Sequence, residues 1–267
     1  MLRYKWYKEI LDLVLNRGGS MNDYINITLK NIDNEHLCCA MSDKKHQQGV
    51  VAKKQWLKEQ LPKGHVFRKL NVQGKVFIEY APLEVAWAPV SGQHYMYIYC
   101  LWVAGSFKGQ GYGKELLEYA IEDSRKQEKK GLCLITSKKK KPYLAEKKFF
   151  QKYGFEVVDA IGDYELLALS FEEPTPKFCD SARKMRIDDL TLTIYYSPQC
   201  PFTTNCIQEL MQYQNETKTA IRLLPIDTLE KAKQAPCVFH NWATFQEGTF
   251  LSNTLLNKAM ITKLLSQ

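Results

Sequence analysis

The 267-residue sequence has no apolar run approaching the ~20 residues that a helix needs to cross a bilayer, so no membrane partner is expected. Its eight cysteines are scattered and include no C-x-x-C pair. Zinc-ligand spacing is therefore missing, and no metal is expected. A Walker loop is also missing, because Lys108 stands at its first glycine position and Glu115 follows Lys114. The dinucleotide fingerprint G-x-G-x-x-G fails as well, since the glycines fall at 109, 111 and 113. Basic residues are not interleaved with aromatics along one surface, so no nucleic acid is expected as partner. The opening stretch carries no small-residue cleavage site, and Asp12 interrupts its apolar residues, which argues against a secretory signal. Reduced thiols in the cytoplasm are the resulting expectation. Internal repeats and low-complexity segments are absent.

What is present suits two folded units. Hydrophobic residues make up 45% of the chain and charged residues 25%, enough apolar surface for real cores. The formal charge of +8 is uneven: residues 190–267 carry six basic against five acidic residues, leaving +7 on the remainder. Lys138-Lys139-Lys140-Lys141 is the densest basic run and reads as a solvated loop after a strand.

The chain's most informative stretch is Gly109-Gln110-Gly111-Tyr112-Gly113-Lys114. Tyr95 to Val103 before it is aromatic and β-branched, a strand pattern. After it, Lys114 to Lys129 places Leu116, Leu117, Ala120 and Ile121 on one helical face. Strand, glycine turn and helix together aim free N–H groups and a positive helix end at a phosphate. Glycines let backbone approach an anion closely. The implied ligand is a phosphorylated cofactor.

Further elements are read from pattern. Tyr24–Leu29 is a strand, Ala52–Leu61 a helix, and Val66–Leu70 and Lys75–Tyr80 two strands about a turn. Gly131–Thr136 is a strand, Ala145–Tyr153 a helix closed by Gly154, and Phe155 opens the last pair of strands, ending near Phe171. Lys108-Gly109-Gln110-Gly111-Tyr112-Gly113 resembles the [RQ]-x-x-G-x-[GA] pyrophosphate loop of the GNAT acetyltransferases, with lysine at its first position. The order of elements over residues 22–173 is similar to that family's mixed sheet.

A composition break follows at Glu172 to Lys177, where two prolines stand. Residues 174–189 read as a linker. The pattern restarts with a strand to Tyr196, a helix from the Cys200-Pro201-Phe202-Thr203 turn to about Tyr213, a strand at 220–225, a short helix at 229–233, a strand entry at 235–239 and a last helix at 254–265. This segment resembles the YoaP-like, thioredoxin-like domains, a likeness that implies a cis bond before Pro236. The expected fold class is α/β. A mixed-sheet GNAT domain (22–173) is followed by a small thioredoxin-like α/β domain (190–267) and preceded by a helical extension (1–21) with Trp6, Ile10, Leu13 and Val14 on one side.

The resemblance implies acetyl-CoA as cosubstrate, with its pyrophosphate on Lys108, Gly109, Gln110, Gly111, Tyr112, Gly113 and Lys114. Its pantetheine arm would lie along Leu101, Trp102 and Val103, and a backbone N–H near Leu101 would polarise the acetyl carbonyl. The other partner is an amine acceptor, a small molecule or a peptide. Candidate bases are Glu79, Glu84 and His94, each equally at home as a strand-end polar residue. Tyr97 and Tyr99 share a strand face and either line the acceptor pocket or pack against a helix. Many members carry a tyrosine acid in the last helix. Phe150 stands there, so either water, Tyr143 or Tyr153 takes that part, or the thiolate leaves without an acid.

Cys200, at a helix start, is expected to ionise readily. Cys237 after Pro236 is expected beside it, while Thr203 replaces the resolving cysteine of a dithiol site. The reading is an acetyl-CoA-dependent N-acetyltransferase whose second domain recognises the acceptor or does thiol chemistry. The alternative is a thiol-based redox or soft-metal protein whose first domain senses acyl-CoA; a third is a pure interaction module.

Overall fold

The computed structural model describes residues 24–37, 40, 44–239 and 241–265. The 1–21 extension and the Cys38-Cys39 pair lie outside the described residues. Two sheets organise the rest. In the first, strands stand in the order β1 (Tyr24–Asn26), β2 (Val66–Leu70), β3 (Val76–Pro82), β5 (Tyr95–Val103), β6 (Gly131–Ser137), β8 (Tyr164–Ser170) and β7 (Glu156–Ile161). All neighbours run antiparallel except β5 and β6.

The period-2 alternation of these strands sorts side chains onto two faces. Met96, Ile98, Leu132 and Leu134 pack with Leu116, Leu117 and Ala120 of helix α2 (Tyr112–Lys126) and with Phe150 of α3 (Lys147–Gln151). Tyr95, Tyr97, Cys133 and Ile135 face the other way, into a cluster that holds Val238 from the second half of the chain. Helix α1 (Gln47–Gln60) also covers that side, burying Trp56 and Leu57 with Phe67, Phe77 and Trp87.

The second sheet is built from β11 (Ile221–Pro225), β10 (Leu192–Tyr196), β12 (Trp242–Gln246) and β13 (Thr249–Ser252), in that order. β10 and β11 are parallel, whereas β10–β12 and β12–β13 are antiparallel. Helices α5 (Phe202–Thr217), α6 (Leu229–Lys233) and α7 (Lys258–Leu265) accompany it.

Three expectations need correction. Residues 174–189 are not a free linker. They form β9 (Lys177–Phe178), paired with β4 (Val90–Ser91), and α4 (Asp180–Arg183). Phe178 and Ala182 are fully buried there, so apolar side chains override the turn-forming prolines. The Ala235–Phe239 stretch is irregular, and the strand comes afterwards, at β12. The Ala235–Pro236 bond is trans; among the described residues the cis bond is Glu173–Pro174.

Candidate active site

Strands β5 and β6 pair only from Tyr95, Met96 and Tyr97 to Gly131, Leu132 and Cys133. Beyond that they part, while β5 continues against β3 as far as Val103. A register shift between Glu79 and Tyr80 leaves Tyr99 as the extra residue of a bulge, since Cys100 faces Glu79 and Ile98 faces Tyr80. Bulges bend and twist a strand, and here the bend comes where β5 leaves β6. The cleft so formed, counted together with the open solvent at its mouth, has about 310 Å³ of empty volume. Tyr97, Tyr99 and Leu101 line one side, Tyr143 and Leu144 another, and Phe239 of the second unit joins them.

The glycine turn lies just past the end of β5. Gly109 and Gly111 have φ of 77° and 92°, in the left-handed region that glycine tolerates. A Cβ on either would meet nothing within 4 Å, so the need for glycine is conformational and the space above the turn is open. Gly111 caps the start of α2. The Gln110 side chain steadies the turn by donating to the Ser106 carbonyl at 2.6 Å. The first-turn N–H groups of a 15-residue helix thus point out beside this turn. Trp102 is largely exposed, whereas Leu101 and Val103 turn toward the α2 core. Lys138 and Lys141 are engaged at the β7–β8 turn, on the Gly162 carbonyl and the Asp163 carboxylate.

The proposed bases fare differently. Glu79 is no free base. It is only 2% exposed, its carboxylate pairs with Lys53, and it accepts from His65 Nε2 at 2.9 Å and from Gln199 Nε2 at 3.2 Å. Burial alone would raise its pKa, but the ammonium of Lys53 and the His65 ring N–H outweigh it and hold the carboxyl at about 2. A carboxylate that acidic accepts a proton poorly near neutrality. Burial also keeps the His65 ring below the ordinary histidine range, against the pull of Glu79. Glu84 and His94 lie before the start of β5, at the end away from the glycine turn, tied together where the His94 N–H donates to Glu84 Oε1 at 2.6 Å. Tyr97 is buried and lines the cleft.

Phe150 is core, between Phe149 and Phe155. Of the two substitutes, Tyr153 leans on Phe149 and Tyr143 lines the cleft.

The thiols also depart from expectation. Helix α5 starts at Phe202, after Cys200 and Pro201. Burial outweighs the helix end and pushes the Cys200 thiol up to about 11. Cys237 is fully buried beside Ala243 and Phe245, donates to the Phe239 carbonyl at 3.3 Å, and is pushed by burial up to about 12. Cys200 feels Lys53, Glu79 and Cys206 instead. Neither thiol is poised as a thiolate. No helix among the described residues is long and apolar enough to cross a membrane.

Sequence reasoning missed Lys53, His65, Gln199 and Phe239. For Lys53 a signal existed: it shares the stripe of Gly49, Trp56, Leu57 and Gln60, the buried face of α1. A lysine there demands a buried carboxylate. Gln199 and Phe239 meet the first unit only through tertiary structure and leave no local mark.

The model of the acetyltransferase (GNAT) family matches residues 29–155, and the YoaP-like model matches residues 221–263. The chain is 35% identical over 246 residues to the uncharacterised N-acetyltransferase YoaP of Bacillus subtilis (strain 168), covering 91% of this chain and 98% of that protein. Among solved structures, a GNAT family acetyltransferase from Brucella melitensis in complex with acetyl-CoA is 15% identical, with a TM-score of 0.37 over 58% of this chain and 91% of that one. Ard1 from Thermoplasma volcanium is likewise 15% identical, with a TM-score of 0.38 over 56% and 97%. The chain belongs to the GNAT family of acetyltransferases and, over nearly its whole length, to the group of YoaP.

Proposed function

We propose that the protein is an acetyl-CoA-dependent N-acetyltransferase of the cytoplasm that transfers directly from thioester to amine. The observation that carries this reading is the parting of β5 from β6 beyond Tyr97, with the Gly109–Lys114 turn at the far end of the same strand. The pyrophosphate would rest on the turn and on the N-terminus of α2. The pantetheine arm would run along β5 from Leu101 to Val103, beside main-chain groups that β6 does not take. A backbone N–H near Leu101 would polarise the carbonyl. The neutral amine adds to the carbonyl carbon, the amine nitrogen gives up its proton to water, the C–S bond breaks and CoA departs as thiolate. Phe150 has no proton to offer it.

We read the second unit as a thioredoxin-like domain. Its β-α-β-α-β-β-α order and the sheet order β11-β10-β12-β13 support that, and the trans bond before Pro236 departs from it. The raised thiols favour a role in recognition over thiol chemistry.

Gly113→Glu tests the cofactor reading. A Cβ at 113 comes only to 3.5 Å from the Phe149 ring, an ordinary contact, and an acidic residue in the first turn suits the helix. The variant should fold as the parent does and lose acetyl-CoA binding by calorimetry. Unchanged affinity in the folded variant removes the assignment.

A further inference from the structure

The segment 235–239 is shared between the two units. Ala235 packs in the cluster of Trp56 and Trp87, Val238 in that of Tyr97 and Cys133, and Cys237 in the second unit's own core. Such interdigitation fixes Phe239, 4% exposed, in the wall of the cleft opposite the bulge. The neighbouring wall is braced by the same unit. Tyr143 meets the Phe202 ring at 6.5 Å between centroids, and Asn253 donates to the Pro142 carbonyl at 2.9 Å while accepting from the Tyr164 hydroxyl at 3.0 Å.

The chemistry of the lining is narrow. It consists of tyrosines, aliphatic residues, Cys100 and Phe239, and among the described residues it includes no Asp, Glu, Lys, Arg or His. The carboxylate closest in sequence pairing, Glu79 opposite Cys100, is already engaged by Lys53, His65 and Gln199. A polycationic acceptor would set ammonium groups against this wall with no counter-charge among the described lining residues. A lysine on a protein surface would need room for the chain around it, where the second unit stands. An amine that enters such a lining is favoured in its neutral form, the form that attacks.

We propose that the acceptor is a compact primary monoamine with an apolar or aromatic body, and that Phe239 of the second unit determines its selection. This rests on the acetyltransfer reading. The full-length protein is assayed by acetyl-CoA-dependent thiol release with 2-phenylethylamine, spermidine and a lysine-containing peptide, alongside calorimetry of acetyl-CoA. The expected result is a kcat/KM for 2-phenylethylamine about tenfold or more above the other two. Phe239→Leu should cut that preference by about tenfold with acetyl-CoA affinity unchanged. Phe239→Ala should act in the same direction, and the milder leucine variant guards against loss of fold. Preference for spermidine or the peptide, turnover of none of the three by protein that binds acetyl-CoA, or an unchanged preference in the folded variants overturns the proposal. A parent protein that binds no acetyl-CoA brings down the acetyltransfer reading itself, and the acceptor assignment with it.

Discussion

At the scale of single residues, the buried charges are the most consequential feature. Lys53 and Glu79 are 1% and 2% exposed, and each is tolerable only because the other is there. Glu79→Gln should therefore cost about 3–5 kcal/mol in denaturant unfolding, because it strands the Lys53 ammonium. The joint change Lys53→Met with Glu79→Leu should recover most of that loss. Acid acts on the same cluster with one sign. His65, held below 6.5 by burial, contributes fully above 6.5, and its contribution declines as the unfolded chain takes up the proton first. Glu79, at about 2 against an ordinary 4.5, contributes fully above 4.5 and loses its share as the pH falls toward 2. Stability measured from pH 7 down to 3 should fall in both windows, and the lower decline should flatten in the double variant. Glu79 was legible in the sequence as a carboxylate on a strand. Its confinement was not, because the partners come from a helix, a second strand's approach and a turn 120 positions away.

At the scale of elements, the turn before α2 and the strand before it were readable, since glycine spacing and β-branched patterning are local signals. The helix starts two residues earlier than its apolar spacing suggests, because Tyr112 and Gly113 complete the first turn above Gly111. The bulge at Tyr99 was not readable: it depends on how Glu79 and Tyr80 settle against Cys100 and Ile98 across β3 and β5. Gly111→Ala isolates the conformational demand of the turn. With open space around its Cβ and φ at 92°, the substitution should cost about 1–2 kcal/mol through strain alone, read as a lowered denaturation midpoint. Acetyl-CoA affinity should fall with it, as the amides lose their aim. A midpoint equal to that of the parent would mean that this φ is not what the turn requires. Helix α7 begins at Lys258, later than patterning implies, because Ser252 and Asn253 are occupied in the hairpin and in the bond to Pro142.

At the scale of the whole molecule, two patterned units proved less separable than their compositions imply. Lys233 of α6 donates to the Leu83 and Val90 carbonyls, both at 2.8 Å, and thereby ties the second unit to the loop between β3 and β5. Helix α1 packs on α5, and Gly49 lies so close to the Pro201 carbonyl that a Cβ has no room. Glycine to alanine inside a helix ordinarily gains about 1 kcal/mol. Gly49→Ala should instead destabilise, and thermal unfolding followed by tryptophan fluorescence should broaden or split as the units come apart. A gain in stability would show that the two units do not share this contact. Pro174 and Pro176 follow the last strand of the first sheet, which ends at Ser170. They say nothing of the apolar side chains, Phe178 above all, that bring the chain back onto it.

The parting of β5 and β6 has a further consequence, for how the molecule behaves toward its own kind. A strand whose main-chain groups lack a neighbouring strand is a template for pairing with any extended chain, and proteins shield such edges. Here the edge is inside the sheet, and Phe239 with Tyr143 stands in the wall beside it. The second unit thus works as a guard as well as a wall: it narrows what reaches the edge to something slender. A chain without that unit would bare a sticky seam at its centre, so its first loss would be solubility, before any loss of catalysis.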